Sequence, residues 1–228
     1  MAIALSVAGL RVRHGPVEAL HGVDLEFPAG AVTALVGRNG SGRSTLLNTL
    51  AGLVRPSRGV IVWRGRDITA WPADRRARAG LTLIPDRGGV FAGLSVADNL
   101  SLFAAGADRA PALDAFPVLA QRLGQRAGTL SGGERQMLAV SRALLAPGEV
   151  LLLDELGQGL APRVAARVYD VVADLAGAER TVIVVERHTG ATLARVETVY
   201  ALSRGSVVFR GDPAEYLARS AARDHPPG

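Results

Sequence analysis

The sequence predicts an α/β domain built around a parallel sheet, on three observations. Val150–Leu153 is an unbroken run of valine and leucine, the pattern of a strand covered on both faces. Thr181–Val185 repeats that pattern after an apolar-periodic helix, Arg163–Leu175, so strand and helix alternate as they do in parallel sheets. Ala31–Val36 is a short apolar strand that runs into a Gly-rich loop and then a helix over Ser44–Leu53.

The other elements are read in order. The first thirty residues alternate apolar and polar, with turn signals at His14-Gly15-Pro16 and Pro28-Ala29-Gly30, so they form short antiparallel strands. Gly59–Trp63 and Leu81–Ile84 are further strands. Residues 95–123 are helical, interrupted by Pro111 and Pro117. Gly133–Leu145 is a helix ended by Pro147-Gly148, and Ala221–Gly228 is a frayed tail. No repeat, low-complexity run or Pro/Gly/Ser-rich linker divides the chain, which is expected to be one domain over 1–228 with a helical part at about 88–133.

Composition narrows the class. Of 228 residues, 48% are hydrophobic and 21% charged, a globular balance. The longest uncharged stretches, Phe27–Gly37 and Ser44–Val54, span 11 residues each, short of the ~20 needed to cross a bilayer. The N-terminus has no basic region before its apolar run, and the chain has no Cys, so a cytoplasmic location is expected. All 26 basic residues are Arg, which gives the Arg at any site a compositional explanation. The net charge of +5 is concentrated in residues 55–87, which hold eight Arg and three Asp. That stretch reads as a solvated face, with an acidic partner or anionic headgroups as the alternative, and no nucleic-acid partner is expected.

Gly37-Arg38-Asn39-Gly40-Ser41-Gly42-Arg43-Ser44-Thr45 follows a strand and opens a helix. Its glycines let successive N–H groups and the helix N-terminus converge on an anion, in the spacing of a phosphate-binding loop with Arg43 in place of Lys. Ser44 is placed to ligate Mg²⁺. The bland alternative is an ordinary strand–helix turn. Val150–Leu153 ends in Asp154 and Glu155, at the strand end where open α/β sheets bind ligands. Asp154 suits Mg²⁺, and Glu155 suits a water that attacks phosphorus.

Leu130-Ser131-Gly132-Gly133-Glu134 completes the set: a hydroxyl, glycine amides and a helix N-terminus suited to a γ-phosphate. With this motif the chain resembles the ATP-binding cassette family. Within it, the chain looks most like the ATPase subunits of branched-chain amino acid importers, through LHGVDLEFPAGAVTALVGRNGSGRSTLL, IPDRGGVFAGLSVADNL, QRAGTLSGGERQMLAVSRALL and GLAP. The resemblance implies a P-loop core with an N-terminal antiparallel β subdomain and an inserted α-helical subdomain. It implies ATP and Mg²⁺, with Ser131, Gly132, Gly133 and Glu134 completing the phosphate site of a second subunit in a homo- or heterodimer. It also implies separate transmembrane permease subunits, docked near the 84–95 loop, and a peripheral place on the inner membrane face.

Several positions depart from the family pattern. Arg43 replaces the loop Lys, and a planar guanidinium is not interchangeable with an ammonium. Asp86 stands where Gln or Glu is usual, as a shorter ligand for metal or water. Arg187 stands at the γ-phosphate switch position, where it acts as an arginine finger or cedes the role to His188. His14 stands where an aromatic stacks on adenine, Leu156 replaces a Pro, and Trp63 and Trp71 read as packing. The resemblance thus implies an importer of branched-chain or other hydrophobic amino acids, or related amides or urea. The alternative is a hydrolysis-impaired subunit, the degenerate or regulatory half of an asymmetric pair.

Overall fold

The computed structural model describes residues 2–86, 89–104, 106, 108–157, 159–177, 180–187 and 193–224. Two sheets organise them. Strands β1 (Ile3–His14), β2 (Val17–Pro28), β4 (Arg58–Trp63) and β5 (Arg66–Asp67) form an antiparallel sheet in the order β2-β1-β4-β5. The second sheet runs β10-β9-β3-β8-β7-β6, from β10 (Ser206–Gly211) and β9 (Thr198–Ser203) through β3 (Val32–Val36), β8 (Thr181–Glu186) and β7 (Val150–Asp154) to β6 (Leu81–Ile84). All its pairs are parallel except the edge pair β9–β10.

The strand period of two divides the core. Ala34, Val36, Leu151, Leu153, Val182 and Val184 face one apolar cluster, covered by α5 (Gly132–Leu145) and α6 (Pro162–Leu175). Leu35, Leu152, Ile183 and Val185 face the other, against α1 (Arg43–Leu50) and the antiparallel sheet. Burial on both faces explains why β3, β7 and β8 read as continuous apolar runs. Because β8 lies between β3 and β7 with Val36 opposite Glu186 and Asp154 opposite Val185, the residues that follow these strands emerge together at one sheet edge.

The smaller helices are α2 (Ala73–Arg78), α3 (Val96–Ala104), α4 (Ala110–Ala115) and α7 (Pro213–Asp224), with 3₁₀ turns at Pro117–Arg122 and Ala127–Thr129. Three readings are corrected. Helix α1 stops at Leu50 rather than Leu53, because Gly52 takes φ +81° and Leu53 turns out to 61% exposure. Pro111 opens α4 instead of breaking a helix, since the first turn needs no N–H from it. Helix α7 reaches Asp224, so the start of the supposed frayed tail is helical.

Candidate functional site

The site gathers at the carboxyl edge of β3, β8 and β7. Gly42 caps α1 at φ +101°, where an added Cβ would lie 2.9 Å from the Ala19 carbonyl and 2.8 Å from Leu20, so only glycine fits. This turn places Arg43 as the first residue of α1, and its side chain is 95% buried. Arg43 Nε donates to Ser41 Oγ at 3.2 Å, Nη1 donates to the main-chain carbonyl of Glu186, and Nη2 reaches Glu155 Oε1 at 3.4 Å. Burial depresses its pKa, and the Glu155 carboxylate opposes that shift.

Glu155 follows β7 in the left-handed region, φ +46°, an uncommon conformation for a side-chain-bearing residue. The turn takes it off the strand while its N–H still donates to the Val185 carbonyl at 2.9 Å. Its buried carboxylate meets both Arg43 Nη2, at 3.4 Å, and Arg187 Nε, at 2.9 Å.

Asp154, one residue earlier, behaves differently. Burial raises its pKa to about 6, the Ser44 hydroxyl opposes this, and the charges of Glu155 and Asp86 push it further up. Its Oδ1 is buried without a hydrogen-bond partner. An orphaned carboxylate oxygen beside a hydroxyl fits a hard cation, and Mg²⁺ takes only one or two protein oxygens when phosphates supply the rest. Among the described residues no group of three or more His, Asp or Glu is placed to hold a metal ion by itself.

The structure therefore brings Ser41, Arg43, Ser44, Asp86, Asp154, Glu155 and Arg187 together. His14 joins them from the end of β1, with its Nε2 3.3 Å from Thr45 Oγ1. Gly37, Arg38, Asn39 and Gly40 form the loop between β3 and α1. Ser131, Gly132, Gly133 and Glu134 instead build the N-terminus of α5. Ser131 Oγ accepts the Glu134 N–H at 3.3 Å, and Glu134 Oε2 accepts the Ser131 N–H at 2.9 Å, a reciprocal cap. The Ser131 N–H and the nearby Arg122 hold the Glu134 pKa down. His188 lies outside the described residues.

Two buried groups were not read from the sequence. Glu186 ends β8 at 4% exposure, accepts the Tyr169 hydroxyl at 2.5 Å and the Gly157 N–H, and is pushed by burial to about 7. A lone acid closing an apolar run (VIVVE) is the signal by which the sequence could have disclosed it. The basic stretch also divides. Arg76 is buried and donates to five carbonyls, of Thr49, Leu50, Ile68, Thr69 and Trp71, so it is structural rather than solvated. Arg75 stacks 4.0 Å from the half-buried Trp71 ring, and Trp63 packs in the core.

Residues 20–157 match the protein family described as ABC transporter. The chain is 34% identical over 227 residues to the high-affinity branched-chain amino acid transport ATP-binding protein BraG of Pseudomonas aeruginosa, covering 96% of this chain and 97% of that one. It is 36% identical over 221 residues to the probable branched-chain amino acid transport ATP-binding protein LivF of Archaeoglobus fulgidus, covering 93% and 94%. Its fold superposes with a TM-score of 0.85, at 21% identity and 98% coverage of both chains, on the ADP conformation of an ATP-binding cassette of an ABC transporter.

Proposed function

Because the chain belongs to the ABC transporter family, an ATP-binding ATPase family of transport subunits, we propose that it powers an importer of branched-chain or other hydrophobic amino acids. The substrate class is supported by what the two amino acid transport relatives are named for. One observation carries the catalytic reading: the Glu155 carboxylate, buried and turned off its strand, is held by Arg43 of the phosphate loop.

ATP binds with its phosphates over Gly37–Thr45, where loop amides and the N-terminus of α1 receive the charge. His14 presents its imidazole to adenine from the end of β1. Arg43 shifts from Glu155 to the phosphates, because a doubly charged phosphate outcompetes one carboxylate for a guanidinium. Ser44 and Asp154, with Asp86 nearby, would hold Mg²⁺, which would offset the charge that develops on the phosphates. Glu155, released, orients the attacking water and accepts its proton, while Arg187 donates to the γ-phosphate.

The exposed cap at Ser131–Glu134 completes the site of a second ATPase subunit, identical or related, so ATP closes a dimer and hydrolysis reopens it. Among the described residues no helix is long and apolar enough to cross a membrane. Separate permease subunits supply the pathway, docking near the 84–95 loop, and the chain works peripherally on the cytoplasmic face.

The test is Mg-ATP turnover by the purified chain at rising concentration, and leucine uptake after reconstitution with its membrane subunits. Turnover that rises more than linearly and vanishes in Glu155→Gln supports the reading. ATP binding with no turnover even in the reconstituted transporter replaces it with a hydrolysis-impaired subunit.

A further inference from the structure

Among the described residues, Glu186 and Tyr169 are buried polar groups that the proposed chemistry leaves unused but that border it. Tyr169 lies on the inner face of α6 beside Val168, Val171 and Val172, at 5% exposure. Its hydroxyl donates to Glu186 Oε1 at 2.5 Å. The other contacts of Glu186 run directly into the site. Its carboxylate takes the N–H of Gly157, two residues beyond Glu155, and its main-chain oxygen takes Arg43 Nη1. Its backbone lies opposite Val36, the last residue of the strand before the phosphate loop, and its chain neighbour is Arg187.

The packing admits little slack. A Cβ on Gly157 would fall 2.1 Å from the Tyr169 oxygen and 2.9 Å from its ring. The turn after Glu155 is thus pressed onto the tyrosine while its amide is drawn to the glutamate that the tyrosine holds. A guanidinium in the place of the loop lysine needs acceptors set for a fork, and the Glu186 carbonyl is one of them. An ammonium on a flexible stem has no such requirement.

We infer that Tyr169 is a positioning residue for ATP hydrolysis, acting through Glu186 to fix the carbonyl that aims Arg43 and the turn that aims Glu155. This rests on the reading of Arg43 and Glu155 given above. The carboxylate facing Tyr169 feels the charges of Glu155 and Arg43 from two other segments, so its alignment sets the local field as well as the geometry.

The experiment is a double-mutant cycle on Mg-ATP turnover with Tyr169→Phe, Arg43→Lys and the pair, with Glu155→Gln alongside and thermal unfolding of every variant. Tyr169→Phe removes one oxygen and keeps the ring. Its kcat is expected to fall about tenfold with KM for ATP within about twofold, as for a group that acts in the transition state. In the Arg43→Lys background the same change is expected to cost at most about threefold in kcat, because the lysine does not use the Glu186 carbonyl and only the hold on the Glu155 turn remains. Equal fold-losses in both backgrounds, or a kcat for Tyr169→Phe within twofold of the parent, overturn the inference. So does a loss of kcat matched by loss of ATP binding and of folded protein. Glu186→Gln, which keeps the main-chain carbonyl, is expected to behave like Tyr169→Phe, and normal turnover there also overturns it. Undiminished turnover in Glu155→Gln would instead fail the underlying catalytic reading, whatever the cycle shows.

Discussion

Arg187 donates to the Glu155 carboxylate at 2.9 Å, so the acid proposed to handle water is the acceptor of an arginine. Arg43 approaches the same group at 3.4 Å. Two cations therefore share one anion. In the proposed reaction each also has a use for phosphate, so nucleotide binding and release of the base would be one exchange of partners.

Glu155→Gln tests that exchange in two directions. Turnover should drop by roughly a hundredfold or more with the loss of the proton acceptor. ATP affinity should rise several-fold, because a neutral amide competes less well for Arg43 and Arg187. Equilibrium binding of ATP to both proteins measures the second effect; unchanged or weaker binding would show that the carboxylate does not compete.

Ser131 has two separable duties. Ser131→Ala removes the side-chain acceptor for the Glu134 N–H and should cost about 1 kcal/mol of stability. Ser131→Asp keeps a good cap and should leave the unfolding temperature close to that of the parent. It places a negative charge where a phosphate is proposed to sit, so turnover should collapse. Retained turnover in the Asp variant would remove Ser131 from the phosphate site.

The pH dependence of stability should carry the mark of Glu186. Its pKa is raised to about 7 in the folded chain from an ordinary value of 4.5. The folded state thus holds a proton that the unfolded state releases first, and stability falls as pH rises from about 4.5 to about 7. Asp154, raised to about 6, adds the same sense over a lower window. Glu186→Gln should flatten the fall between pH 5 and 7 in denaturant melts. A fall of unchanged steepness would assign it to other groups.

Arg76→Lys should be among the most damaging conservative changes in the protein. Five carbonyls are served by one planar guanidinium, and three ammonium protons cannot replace that fork. Two or more buried acceptors are left open, at about 1–3 kcal/mol each. Thermal unfolding reads the loss directly.

What the sequence disclosed follows from how local each signal is. The phosphate loop, the Asp154–Glu155 strand end and the Ser131–Glu134 cap are contiguous, so residue type and spacing carried them. The sheet core was legible because double burial makes β3, β7 and β8 uniformly apolar. β9 was missed although Val199–Leu202 is wholly buried, since one short run without a helix after it has no distinguishing period. Tyr169 and Glu186 lie seventeen residues apart and meet only through tertiary packing. Arg76 looked like every other arginine in a basic stretch, because burial is what separates it from Arg75 and Arg78. Composition reports charge, and only the fold reports which charges have lost their water.

The five bonds of Arg76 bear on motion as well as stability. Thr49 and Leu50 are the last residues of the helix that begins at Arg43, and the same guanidinium grips the Ile68–Trp71 turn. The helix is thereby tied, at the end away from Arg43, to a second segment. Fraying of its final turn would break the bonds to Thr49 and Leu50, so a displacement at Arg43 would be opposed at the far end of α1.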